Sequence, residues 1–357
     1  MVARRGADRG DGASAAGSRA SLKDVARAAG VGVGTASRTF TGNGYVGEET
    51  RQRVLRVAEE LGYRPNRLAA GLRSDTSHLV ALVLPDLTNE FYAVSSQIIH
   101  ARLRDAGYQL LVASAGTVED EKKTLESLID YRVDGIIHVP ASSGSRFRAP
   151  CPIVELNRRS HSPGIASVTC DDAAGFRELT RSLLDRGYRD LALIVGDEGL
   201  STTQERIAGF RDALGAREGT AHSEDTVHSG GAVHSRVLPG SYSADWGHRA
   251  CLELLGATDW QPSVIVAASP RIATGVALAL TQRGIVPPRD IGFASYSSPD
   301  WFSFWAGGVQ TFLPPLDQMA RRATDMLLGQ LSDPTTLPSS VVLSGELRPG
   351  GSVRSIG

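Results

Sequence analysis

Arginine and lysine crowd into one end of this 357-residue chain, where they could pair with phosphates and with the hydrogen-bonding edges of bases. Residues 21–73 hold nine Lys/Arg (Lys23, Arg27, Arg38, Arg51, Arg53, Arg56, Arg64, Arg67 and Arg73) against five Asp/Glu. Residues 1–20 add a further surplus of two positive charges, so the rest of the chain carries about −7 of an overall −1. A small basic head on an acidic body fits a polyanion reader joined to a module with another task. Catalytic chemistry finds less support. The body has no phosphate-cradling G-x-x-x-x-G-K-[ST], no dinucleotide-binding G-x-G-x-x-G between a strand and a helix, and no G-x-S-x-G elbow. Cys151, Cys170 and Cys251 are few and far apart, and His222, His228, His234 and His248 lack ligand spacing. No metal site or cofactor is therefore expected, and a reducing cytoplasm is the expected home.

The head must position its arginines on helices. Ser21 is a good N-cap, and Leu22, Val25, Ala26 and Ala29 recur at helical spacing. Gly30 stops that helix, Val31 tucks into the turn, and a second short helix runs through Thr35, Ala36, Ser37 and Arg38 to Phe40. Two short helices around a Gly-containing turn predict a helix-turn-helix, whose second helix fits the DNA major groove. After the turn cluster Thr41–Gly44, Glu48 and Glu49 open a third helix with Val54, Leu55, Val57, Ala58 and Leu61 as apolar positions, closed by Gly62. Pro65 and Asn66 then break the chain, and Arg67–Arg73 could make two helical turns. So short a helix is marginal alone, and Gly71 weakens it by about 1 kcal/mol, so it should form only when held by a second copy and DNA. Residues 1–20, with almost nothing to bury, read as a disordered tail.

Three runs in order, K-D-V-A-R-A-A-G-V-G-V-G-T-A-S-R, E-E-T-R-Q-R-V-L and L-G-Y-R-P-N-R-L-A-A-G-L, resemble the DNA-binding head and hinge of the LacI/GalR family of bacterial transcription regulators. The resemblance extends over nearly the whole chain after residue 20. It implies that Val33, Gly34 and Arg38 stand where the family reads base edges. Arg38 could grip guanine O6 and N7, worth roughly 1–3 kcal/mol of discrimination. Thr35 and Ser37 suit phosphate contacts. Leu72 stands where the family wedges a leucine into the minor groove, with Asn66 and Ala69 on the same hinge. Gly32 and Gly47 replace the usual capping Ser, at a cost of only a few tenths of a kcal/mol. With Gly34 and Gly71 they make the head looser than usual and shift specificity toward Arg38 and DNA deformability.

From His78 onward, strand-like runs alternate with helical ones, which predicts parallel α/β architecture. There are too many strands for one ordinary sheet, so two doubly wound lobes are expected. The resemblance implies the same two lobes, like those of type I periplasmic binding proteins, with chain crossings near Asn157 and Gln310. The domains are then 1–20 (tail), 21–66 (helix-turn-helix), 67–77 (hinge helix and linker) and 78–357 (effector-binding and dimerisation). Lobe one takes about 78–156 and 310–335, and lobe two about 157–309 and 336–357. Ala216–Gly240, rich in His, Ser and Gly, reads as a loose loop.

Ligands of such sheets bind in the crevice beyond the strands' carboxyl ends. The candidates there are Phe91, Tyr92, Asp171, Arg206, Tyr242, Ser269, Ser297 and Trp301. The resemblance assigns Arg206 to ligand polar groups and Tyr242 to stacking. Ser269-Pro270 and Ser297-Ser298 stand where relatives usually carry Asn-Asp and Asp-Asp. A site without those carboxylates orients polyols less well, which points to a less sugar-like effector or a weakened ligand response; the expected effector is a sugar or a less polar metabolite.

The expected whole is a cytoplasmic, nucleoid-associated repressor without enzymatic activity. A homodimer would bind a pseudo-palindromic operator under small-molecule control. The alternative keeps DNA binding and uses a protein corepressor or none. A transport receptor is disfavoured by the basic head. No run approaches the roughly 20 apolar residues needed to span a bilayer, so no membrane partner is expected.

Overall fold

The computed structural model describes residues 20–42, 44–64, 76–215, 223–228 and 231–356. The chain separates into two compact units, residues 1–77 and 78–357.

The first unit contains α1 (Leu22–Ala28), α2 (Val33–Thr41) and α3 (Glu48–Glu60). Ser21 opens α1 with a reciprocal capping box to Asp24, satisfying two otherwise orphaned donors. Gly30 and Gly42 take left-handed backbone (φ +66° and +72°) that ends each helix without steric cost. Gly32 and Gly47 are N-caps with no side-chain bond, as the sequence predicts. The G-x-G-x-x-G spacing of Gly42, Gly44 and Gly47 falls between two helices, away from any strand. Val25, Ala26, Ala29, Ala36, Val54 and Ala58 form the mini-core. Leu55 and Leu61, among the apolar positions of the third helix, stay exposed. Arg53 ties α3 to the end of α1 by donating from Nε to the Ala29 carbonyl at 3.1 Å.

The second unit runs β1 (Leu79–Leu84), α4 (Glu90–Asp105), β2 (Gln109–Ser114), α5 (Val118–Asp130), β3 (Gly135–His138), β4 (Ile153–Leu156) and β5 (Ala166–Cys170). It continues through α6 (Asp172–Leu184), β6 (Asp190–Ile194), α7 (Ser201–Leu214), β7 (Ser223–His228), β8 (Gly231–Leu238) and α8 (Ala244–Gly256). Next come β9 (Val264–Ala267), α9 (Pro270–Gln282), β10 (Gly292–Tyr296), β11 (Gln310–Leu313), α10 (Leu316–Ser332), β12 (Ser340–Leu343) and β13 (Glu346–Arg348).

Two sheets result, ordered β12-β5-β4-β3-β1-β2 and β13-β11-β10-β9-β6-β8-β7. The pairings are parallel except for β11 with β13 and β7 with β8. Each central strand feeds a different core from each face: Val80, Leu82 and Leu84 point one way, Ala81 and Val83 the other. That two-sided burial explains why the strands read as continuous apolar runs.

Two sequence expectations need correction. The chain does not cross near Asn157 and Gln310. Residues 166–170 pair in parallel with β4, and β11 pairs with β10, so the crossings follow Cys170 and Leu313. A third lies between β12 and β13, so residues 336–357 are shared between the lobes instead of belonging to lobe two. Strand pairing decides lobe membership, and the apolar pattern of a short strand does not encode its neighbour. The expected loose loop at 216–240 instead contains an antiparallel hairpin, whose β8 extends the second sheet beside β6.

Candidate functional site

In the head, α2 turns Ala36 and Thr39 inward. Val33, Gly34 and Arg38 are exposed on the other side, with Thr35 and Ser37 half-buried beside them. Arg38 leans on Thr35, donating from Nη2 to Oγ1 at 3.4 Å. The helix thus presents one guanidinium fork and two hydroxyls to the outside, the donor types that base edges and phosphates accept. Asn66, Ala69 and Leu72 lie outside the described residues.

In the second unit a cleft opens at the carboxyl ends of the strands. Its walls are Asn89, Phe91, Tyr92, Asn157 and Arg158 on one lobe, and Thr202, Arg206, Tyr242, Ser269, Pro270 and Tyr296 on the other. Local chemistry sets each side chain. Asn89 caps α4, its Oδ1 accepting from the Phe91 amide at 3.1 Å. Asn157, with left-handed backbone (φ +67°), turns the chain out of β4. Its Nδ2 donates to the Tyr92 hydroxyl at 3.2 Å. The adjacent Arg158 donates from Nη1 to the Pro140 carbonyl at 3.3 Å and lies 5.3 Å from the centre of the Tyr242 ring. Ser269 caps α9, its Oγ accepting from the Ile272 amide at 3.2 Å.

Arg206 is the hub of the second lobe. Its Nε donates to Asp172 Oδ2 at 2.8 Å and its Nη1 to the Ala268 carbonyl at 2.6 Å. The guanidinium also stacks 3.9 Å from the Tyr296 ring centre. Burial opposes its charge, but the Asp172 carboxylate together with the Tyr242 and Tyr296 side chains more than offsets that and raises the guanidinium above its ordinary value. A close helix contact makes the pair possible: Gly209 on α7 lies against the Ala173 backbone on α6, where any Cβ would collide with the carbonyl.

Buried polar atoms without a partner are uncommon in folded proteins, and each asks for an explanation. Asn157 Oδ1, Arg158 Nε and Thr202 Oγ1 are such atoms, and all three residues line this cleft. Each of these atoms can hydrogen-bond a water or another group that enters the cleft. Only about 20 Å³ of free space remains between the lobes, room for about one water, so a larger guest requires them to part.

Of the eight cleft residues expected from sequence, Phe91, Tyr92, Arg206, Tyr242 and Ser269 converge here. Asp171, Ser297 and Trp301 do not. Asp171 caps α6 through the Ala174 amide at 2.9 Å, while its neighbour Asp172 turns inward to Arg206. Ser297 works through its backbone, in left-handed conformation (φ +68°) and bonded to Phe312 at 2.8 Å. Trp301 packs on Phe302 and Trp305 against the far core of the second lobe. Sequence reasoning missed Asn89, Asn157, Arg158, Thr202, Pro270 and Tyr296 as cleft residues. The polar pair Asn157-Arg158 directly after the apolar run Ile153–Leu156 was the signal available. Among the described residues, no cluster of His, Cys, Asp and Glu could hold a metal ion, and no helix is long and apolar enough to cross a membrane.

Residues 21–66 match the profile of the lacI family of bacterial regulatory proteins, and residues 180–353 that of a periplasmic binding protein-like domain. A LacI-family transcription repressor from Corynebacterium glutamicum is 36% identical over 77% of this chain and 98% of its own, with a TM-score of 0.67. The chain belongs to the LacI family. It is a DNA-binding transcription regulator with an effector-binding-type body. The HTH-type regulator AscG of Escherichia coli is 28% identical, covering 90% of this chain and 96% of its own. The regulator CelR, solved as a cellobiose complex, is 26% identical over 94% of this chain and all (100%) of its own, with a TM-score of 0.65. These relatives are regulators, not enzymes.

Proposed function

We propose that this LacI-family regulator acts in the cytoplasm as a repressor. In this reading two heads of a C2 dimer occupy the half-sites of a pseudo-palindromic operator. A small molecule in the cleft of the second unit shifts lobe closure and, through it, DNA affinity. Arg38 reads a guanine, Thr35 and Ser37 hold phosphates, and Val33 offers at most a thymine-methyl contact. The hinge residues Asn66, Ala69 and Leu72 add minor-groove contacts, a reading that rests on sequence. One observation supports ligand control above the rest: of the eight partnerless buried side-chain atoms among the described residues, four, on Asn157, Arg158, Thr202 and Tyr296, belong to residues lining the interlobe cleft. CelR, whose fold is alike, is a regulator solved with cellobiose.

The test is selection of fragments bound by the purified full-length chain from its source genome, followed by footprinting. Two inverted half-sites about one or more helical turns apart are expected. Protection of a single unpaired half-site would overturn the dimeric reading. An operator affinity indifferent to every metabolite screened would favour a regulator without small-molecule control.

A further inference from the structure

We infer that the interlobe cleft is built for an anionic small molecule whose acidic group sits against Arg158. This rests on reading the cleft as the effector site. Four arginines lie in or beside it, and three are already neutralised: Arg271, next to the lining residue Pro270, faces Asp86 at 3.8 Å. Arg206 is paired with Asp172 at 2.8 Å, and Arg159 is paired with Glu205. Arg158 is only 7% exposed, yet its guanidinium meets no carboxylate among the described residues. It bonds to one carbonyl, and its buried Nε has no partner among the described residues.

A buried guanidinium cannot escape its charge by losing a proton, and an ion withdrawn from water needs a counter-charge. The facing wall supplies none: Thr202, Tyr242, Ser269, Pro270 and Tyr296 are neutral. Two guanidiniums against one carboxylate leave the lining with a surplus positive charge that a ligand anion would cancel.

The remaining atoms define the rest of the guest. Thr202 Oγ1, also unpartnered, can donate to a second oxygen of the same acid. Asn157 Oδ1 can only accept, so the guest must bring a hydroxyl or amine. Phe91, Tyr92 and Tyr242 supply apolar and aromatic walls for a compact ring or carbon chain. The fitting class is therefore a small hydroxylated acid. A carboxylate and a phosphate monoester share this chemistry.

Matched probes separate the possibilities. The purified full-length chain is titrated calorimetrically with glucose, glucuronate and glucose 6-phosphate, and with 4-hydroxybenzyl alcohol and 4-hydroxybenzoate. In at least one set the acid should bind roughly ten- to a hundredfold more tightly than its neutral counterpart, the range for a hydrogen bond to a charged group. The uronate and phosphate arms show which anion is preferred. Arg158→Gln should remove the preference, Arg158→Lys should keep part of it, and Arg159→Gln should keep all of it. Neutral and acidic probes binding equally would overturn the charge assignment and leave the effector reading standing. Binding of no probe in any set would remove both together.

Discussion

Removing Asp172 tests the organisation of the cleft. Asp172→Ala leaves the 3% exposed Arg206 without its counter-charge. Breaking a buried pair from one side costs roughly 3–5 kcal/mol. Arg206 keeps its bond to the Ala268 carbonyl and its stacking on Tyr296 at 3.9 Å. A desolvated cation–π contact is worth about 2 kcal/mol, so a loss near the lower limit, about 3 kcal/mol, is expected. All four tryptophans lie between residues 246 and 305, so tryptophan fluorescence in urea reports the lobe that holds the pair. The double variant Asp172→Ala with Arg206→Met replaces the pair by apolar groups and should recover most of the loss, since such replacements are often neutral or stabilising. A single variant within about 0.5 kcal/mol of the parent, the range of ordinary surface changes, would refute the placement of Arg206 as a buried, Asp172-dependent hub.

Gly209→Ala forces a methyl into the Ala173 carbonyl and should cost roughly 1–3 kcal/mol of overpacking; an unchanged urea midpoint would show that α6 and α7 can slide apart freely. Burial pushes the Glu121 carboxyl up, but His138, Ser145 and the Ala141 amide more than offset this and hold it below its ordinary value. The stability it contributes is present above the unfolded value of about 4.3 and is lost as pH falls through the lower folded value. Glu121→Gln should therefore flatten the acid limb of a stability–pH curve, and an unchanged limb would contradict the assignment. Burial raises Cys151 to about 11 and Cys170 and Cys251 to about 12. The native chain should thus resist thiol reagents at neutral pH while the unfolded chain reacts at all three positions; rapid native labelling would argue against that burial.

The head was legible because its signals are local. Ser21 and Asp24 three residues apart make a capping box, and glycines at 30 and 42 end helices where only left-handed backbone fits. The body's alternation was legible for the same reason, since Val80–Leu84 feeds two cores at once. What stayed hidden depends on distant pairing. Residues 166–170, with Ser, Thr and Cys among them, give no sign that they join the first sheet. In the segment 216–240, His, Ser and Gly mask the buried Val233 and Val237. The neighbours Asp171 and Asp172 differ only in helical phase. One caps α6 and the other turns 100° further into the core, a distinction that residue type cannot make. Arg158 was passed over because an arginine after a strand is ordinarily solvated; its environment is made by Pro140 and Tyr242, which lie far off in sequence.

The most direct measurement is a fluorescence-anisotropy titration of the full-length chain against its selected genomic fragment and a scrambled duplex of equal length, at moderate salt. Sequence-specific readers prefer their sites by about a thousandfold or more, and that preference is expected here, shrinking on the selected fragment when Arg38→Ala removes roughly 1–3 kcal/mol. Equal affinity for both duplexes, with Arg38→Ala weakening them alike, would contradict the account.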